Sequence, residues 1–175
     1  MATKSERDYT FEALNAAREK ALHFADYQLE SDRYIIFSDV HKGDRETGSD
    51  DFQRNEMIYC YALQYYLDRD YRLILNGDIE EGWEADYPAI IEAYESSAFR
   101  MEREFAKQGE SHYIRIYGNH DLDWADPQKV KEHLVPVLGP IQVYPAAFLG
   151  DRIFIAHGHQ GDPHSDQGAR WSRLA

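Results

Sequence analysis

The chain predicts a mixed α/β protein with helices laid over a sheet, and three observations carry that prediction. Short runs rich in β-branched and aromatic residues alternate with segments whose apolar residues recur at helical spacing. Four of the short runs end abruptly in a polar motif: Asp39-Val40-His41, Gly77-Asp78-Ile79-Glu80-Glu81, Gly118-Asn119-His120-Asp121 and His157-Gly158-His159. The order of elements begins strand–loop–helix and later gains a hairpin.

Taken in order, Phe11, Leu14, Arg18, Ala21, Leu22, Ala25 and Leu29 share one helical face, which predicts an amphipathic helix over 8–29. Arg33-Tyr-Ile-Ile-Phe-Ser38 reads as a buried strand, and the polar stretch from Asp39 to Asp50, with Gly43 and Gly48, as a loop. Phe52, Tyr59, Leu63 and Tyr66 mark a second helix, and Tyr71–Asn76 a second strand broken by Gly77. Tyr87-Pro88 opens a third helix, since proline suits a first turn. Its stripe is Ile90, Tyr94, Ala98, Met101 and Phe105, and Gly109 stops it. His112–Tyr117 is the third strand. Asp126-Pro127 reads as N-cap and first helical residue of a short helix to about Leu134. Strands over 141–149 and 152–156 form a hairpin at Gly150-Asp151, and Asp166–Ala175 reads as the start of one more helix.

The length of 175 residues suits one domain, 1–175, with an N-terminal helix at 8–29 and a core from 33 onward. A net charge of -13 repels nucleic acid, whose binding depends on Lys and Arg neutralising phosphates, so a long nucleic acid is not the expected partner. The lone Cys60 fits a reducing cytoplasm, and no apolar run approaches the ~18 residues of a membrane span. These features predict a cytoplasmic protein.

The motifs carry the chemistry. Asp39 and His41 lie two apart at a strand end, so their side chains point the same way and can share one ion. Asp78 follows a glycine that permits a tight turn, and its two oxygens can bridge two cations. Asn119 offers a neutral carbonyl oxygen, and His157, ending another strand, an imidazole. His120 is suited to protonate a leaving oxygen, histidine being the residue type that titrates near neutral pH. Glu81 is suited to orient that ring and stabilise its cationic form. His159 is a possible additional ligand, with His164, Asp162 and Asp166 near it in sequence. Lys42 and Arg45 are possible phosphate-steering groups. The donors are oxygen and nitrogen without thiolate, which suits two divalent ions, manganese first, with Fe, Zn, Ni or Co as alternatives. Two such ions about 3.5–4 Å apart would clamp a phosphoryl group and activate a water for in-line attack.

This pattern resembles the calcineurin-like metallophosphoesterase superfamily. Asp39-x-His41, Gly77-Asp78-x-x-Glu81, Gly118-Asn119-His120-Asp121 and the later His157 match its motifs in order. The resemblance implies an α-β-β-α sandwich. It implies that Asp39 and His41 bind a first metal, Asp78 bridges both, Asn119 and His157 bind the second, and His120 donates a proton or contacts phosphate. The runs Gly77–Trp83 and His157–Asp162 are also similar to patterns in the branch containing UDP-diacylglucosamine hydrolases; no strongly apolar insertion accompanies them, which ranks a lipid substrate low. The superfamily's centre closes with a final His-x-His on a later strand, and the chain ends before such a strand. A C-terminally incomplete domain is therefore the expectation. The function expected is hydrolysis of a phosphomonoester or phosphodiester. The alternative is a non-catalytic or degenerate domain that binds metal and a phosphorylated ligand or a protein.

Overall fold

The computed structural model describes residues 6–162 except 26, 29, 47 and 49, together with 165. His164, Asp166 and the helix start expected at 166–175 lie outside the described residues. Two three-stranded sheets stack with helices on their outer sides. One sheet is all parallel, in the order β2 (Tyr34–Phe37), β3 (Arg72–Asn76), β4 (Tyr113–Ile116). The other has the order β1 (Leu22–Phe24), β5 (Ala146–Leu149), β6 (Ile153–Ala156), with β1 parallel to β5 and β5 antiparallel to β6.

Side-chain alternation along the strands builds two cores. Leu73 and Leu75 of β3 face the helices, and Ile74 between them faces the second sheet. Tyr113 of β4 likewise joins the helical core, while Ile114 and Ile116 meet Ala147, Leu149 and Ile155 between the sheets. This period of two is what a sheet covered on both faces requires. The helical layer consists of α2 (Phe52–Leu67), α3 (Tyr87–Tyr94), α4 (Arg100–Ala106), α5 (Pro127–Lys129) and α6 (Val135–Leu138). A π turn over Glu95–Phe99 carries α3 into α4. The wider turn shifts the stripe, so that Ala98, Phe99, Met101, Glu102 and Phe105 are all buried. A second π turn, Val130–Leu134, joins α5 to α6 and takes the helix expected to stop near Leu134 on to Leu138. Its start is as expected, with the Asp126 side chain accepting from the Gln128 amide.

Two element boundaries correct the sequence reading. The helix expected over 8–29 is α1 (Glu6–Glu19), and the chain then turns into β1. Leu22 and Phe24 pack into the core between the sheets, and His23, pointing outward, stacks on Phe148. Pairing with β5 outweighs the helical stripe that Ala21, Leu22 and Ala25 continue. The strand expected over 141–149 is regular only from Ala146. Pro140 and Pro145 remove ladder donors, and Tyr144 instead makes a single bridge to Ile116. That bridge ties the edge of β4 to the segment entering the second sheet.

Candidate metal centre

The four motifs leave the carboxyl ends of β2, β3, β4 and β6, and backbone bonds lace the first three loops together. The Asp39 amide donates to Gly77 O at 3.1 Å and the His41 amide to Asp78 O at 2.9 Å. Lys42 N donates to Ile79 O, Glu81 N to Lys42 O and Gly82 N to His120 O, at 2.9 to 3.1 Å. Asp39, His41 and Asp78 all sit at positive φ, 54°, 51° and 53°. Non-glycine residues adopt that region at a cost, and such strain gathers at functional sites. Two glycines are there because nothing larger fits. A Cβ on Gly77, at φ 79°, would meet the His157 ring at 2.4 Å, and one on Gly118 would meet Asp78 Oδ1 at 2.1 Å.

Asp78 is the hub. Its Oδ1 accepts the His120 amide at 2.9 Å, and its Oδ2 lies 3.0 Å from His157 Nε2. Burial alone would raise its carboxyl, but these bonds hold it below the usual carboxylate range. His157 donates from Nδ1 to Asn76 O at 2.9 Å. Burial would lower its pKa, yet the Asp78 carboxylate brings it up to about 9. Ligand atoms of Asp39, His41 and Asp78 lie within 4.8 Å of one another, close enough to share an ion.

Glu81 joins two imidazoles. Its Oε1 is 2.6 Å from His120 Nδ1 and its Oε2 is 2.7 Å from His41 Nδ1. The rings stand edge to face with centroids 4.6 Å apart. Burial opposes the charge on Glu81, but the two histidines bring it down to about 2. The bond to Glu81 raises His41 in turn. The Glu81–His41 bond is a tie that the sequence does not announce. Asn119 is held through its main chain, its carbonyl accepting the Trp83 indole N–H at 3.0 Å. Trp83 also stacks on His120, with centroids 3.8 Å apart. His159 is buried behind His157, ring centroids 5.4 Å apart, on the side facing Ala13 and Ala17 of α1, and belongs to neither cluster of donors found near Asp78 and Glu81.

Lys42 is a correction. It was expected to steer phosphate from a loop, but its side chain is wholly buried. Its Nζ lies 2.6 Å from Glu102 Oε1 and 3.0 Å from Glu80 Oε1, over the Phe99 ring. Glu80, between Ile79 and Glu81 in the second motif, is buried as well. It pairs with Arg115 and accepts from Trp124 Nε1 at 2.9 Å. Burial would raise its carboxyl, but Arg115 and Lys42 bring it down to about 2. Glu102 takes hydrogen bonds from Tyr59 and Tyr113 as well. Two cations and two carboxylates therefore sit in the core directly beneath the loops bearing His41 and Glu81. Arg45 is engaged by the protein as well: it binds Glu56 at 2.5 Å and Ala93 O at 2.9 Å and lies over Tyr94.

Asp121 is a residue of these loops to which the sequence assigns no role. Fully buried, it accepts the amides of Gly118 at 2.6 Å, Ile79 at 2.9 Å and Asp78 at 3.3 Å. It thereby pins the third motif to the second. Burial and the charge of Glu80 push its carboxyl up to about 6, against Arg115 and the amides. Its signal in the sequence was its place at the end of Gly-Asn-His-Asp.

Oxygen and imidazole donors, partly shielded and converging from separate loops, fit a hard or borderline divalent ion, and no thiolate competes. Fold and site thus define a class: a layered α/β protein with metal donors at the carboxyl ends of parallel strands. Residues 33–173 match the family model of calcineurin-like phosphoesterases, and the chain belongs to that family. No curated protein sequence matches the chain. Membership implies divalent metal, metal-dependent phosphoester hydrolysis at the level of the family, and a phosphorylated substrate. Among the described residues, no helix is long and apolar enough to cross a membrane.

Proposed function

We propose that this protein hydrolyses a phosphomonoester or phosphodiester with two divalent ions, manganese the first choice. The observation that carries the reading is the position of Asp78, between His157 on one oxygen and the Asp39–His41 pair close by. In this reading Asp39 and His41 hold one ion, Asn119 and His157 the other, and Asp78 both. The ions supply Lewis acidity, drawing charge from a phosphoryl oxygen and acidifying water.

The protein's own part is orientation and proton transfer. Glu81 holds Nδ1 of both His41 and His120, which leaves Nε2 of each ring for the reaction space. Nε2 of His41 is then the ligand atom, and Nε2 of His120 the proton donor to the leaving oxygen. The His120 amide on Asp78 Oδ1 and the Asp121 carboxylate on the Asp78 amide fix Asp78 against the third loop, so that little reorganisation accompanies the reaction. With Lys42 in the core and Arg45 on Glu56, phosphate charge would be met by the imidazoles and by whatever ions Asp39, His41, Asp78, Asn119 and His157 hold.

The test is hydrolysis of an aryl phosphate and of an aryl phosphodiester with manganese added. Activity that appears with manganese and vanishes in Asp78→Asn supports the reading. Activity that survives Asp78→Asn refutes it.

A further inference from the structure

Trp83 is 49% exposed, a large apolar side chain left in solvent beside the donor cluster. It is nevertheless firmly tied. Its indole Nε1 donates to Asn119 O at 3.0 Å and its amide to Glu81 Oε1 at 3.4 Å. Its ring lies over the His120 imidazole, with centroids 3.8 Å apart and planes 20° apart. Burial of an indole face against one small ring leaves an unusual amount of aromatic surface unspent at the rim of a site.

His120 is consequently held on three sides. Glu81 takes Nδ1, the His41 ring abuts it edge to face, and Trp83 covers one face. The hydrogen bond to Glu81 alone would let the imidazole swing about that bond. A stacked plane removes the swing, so the direction of Nε2 is set by the indole. The N–H direction of an imidazole lies in its own plane, here close to parallel with the indole. The indole is the larger ring system, and its surface extends past the imidazole. A leaving oxygen within reach of Nε2 therefore carries its substituent alongside that surface.

We propose that Trp83 is a positioning residue for His120, and that its uncovered indole surface receives the alcohol portion of the ester, favouring aryl or apolar leaving groups over compact polar ones. The second half rests on the hydrolase reading, in which His120 faces the leaving oxygen. The first half rests on the stacking alone.

The experiment uses the wild type, Trp83→Leu and Trp83→Phe. In the metal-free proteins, the His120 ring protons, assigned with a His120→Asn variant, are followed by NMR. In the wild type they are shifted upfield by the indole ring current; Trp83→Leu loses the shift and Trp83→Phe keeps part of it. The zinc-loaded proteins are then titrated with phenylphosphonate and methylphosphonate, neither of which can be hydrolysed. The wild type prefers the phenyl compound by on the order of tenfold; Trp83→Leu abolishes the preference and Trp83→Phe restores most of it. A His120 shift unchanged in Trp83→Leu overturns the positioning role, and an unchanged preference overturns the leaving-group role. If the wild type binds neither phosphonate, the hydrolase reading and the leaving-group role fall together, and the His120 shift still decides the positioning role.

Discussion

His157 Nε2 stands 3.0 Å from Asp78 Oδ2, so in the metal-free protein these two candidate ligands satisfy each other. The pair is an ion pair at neutral pH, because Asp78 is lowered and His157 rises to about 9. A histidine can bind a metal only after losing that proton, and binding therefore releases it. Calorimetry of metal uptake near pH 7, in buffers of different ionisation enthalpy, should report about one more proton released by the wild type than by His157→Ala. The sign for stability runs the same way. A raised histidine pKa stabilises the metal-free fold fully below about 6.5 and loses that contribution as pH rises through about 9. Equal proton release from both proteins would mean that His157 is not a ligand.

Glu81, at 2.6 Å and 2.7 Å from His120 and His41, ties the proposed proton donor and one proposed metal ligand to a single carboxylate. His120→Ala should cut kcat by roughly 10²–10⁴ and leave KM little changed, since the proton transfer belongs to the transition state. Glu81→Gln should lower kcat and also weaken metal binding, because the amide offers one acceptor oxygen to the two Nδ1–H groups and no charge to either ring. Steady-state kinetics with metal titration separate the two variants. A Glu81→Gln protein with unaltered metal affinity would break the link to His41.

Much of this was open to a reader of the sequence, and the exceptions have physical causes. Strands β2, β3 and β4 are legible because each is a compact, largely apolar run closed by a polar motif, as parallel strands covered on both faces read; β2, at the sheet edge, is only partly buried, with Ile36 exposed, against the buried strand its sequence suggests. The helical reading runs past α1 because Ala21, Leu22 and Ala25 continue its stripe, while Leu22 and Phe24 satisfy a two-residue period, and only β5, more than a hundred residues away, decides between them. The convergence of Asp39, His41 and Asp78 follows from strand ends lying on one side of a parallel sheet.

The buried ion cluster was not legible in the same way. Lys42 is flanked by loop residues and Glu80 by other acids, so local composition assigns both to solvent. Their burial depends on Arg115 and Glu102 reaching the same spot from β4 and α4. Two signals were present nonetheless. Arg115 interrupts a strand that is otherwise apolar, and Glu102 lies four residues after Ala98 on the apolar stripe of its helix. A charge inside a buried strand calls for an opposite charge inside a neighbouring element.

Gly118 approaches Asp78 so closely that a methyl group there would overlap Oδ1 at 2.1 Å and the Asp78 amide at 2.6 Å. Gly118→Ala must therefore push Asp78 away from His157 or shift the third loop. Metal affinity should fall roughly 10–100-fold, the usual effect of disturbing what orients a ligand. The variant should stay folded, because the overlap falls on the side chain and amide of Asp78 and not on the apolar side chains of the helical core. Metal titration and thermal unfolding of the same sample test both statements, and affinity equal to the wild type would show that the position of Asp78 does not govern binding.

Lys42 and Glu102 meet at 2.6 Å with neither side chain exposed, and Arg115 and Glu80 complete the cluster. Removing one member strands its partners' charge in the core, and the expected cost for Lys42→Met is roughly 3–5 kcal/mol. Glu102→Gln keeps one acceptor oxygen where Tyr59 and Tyr113 use two, and leaves Glu80 as the carboxylate facing Lys42. Made together, the two changes remove one positive and one negative charge and leave the Arg115–Glu80 pair neutral as a unit. The double variant should thus lose less than the sum of the single losses, by about 1–3 kcal/mol in a urea-unfolding cycle. Acid acts on the same cluster. Glu80, lowered to about 2, contributes stability above about 4.5 that is lost as pH falls through about 2, and Lys42→Met should move that loss to higher pH. Additive losses, with an unchanged acid midpoint, would mean that the four charges act independently and do not brace the loops above them.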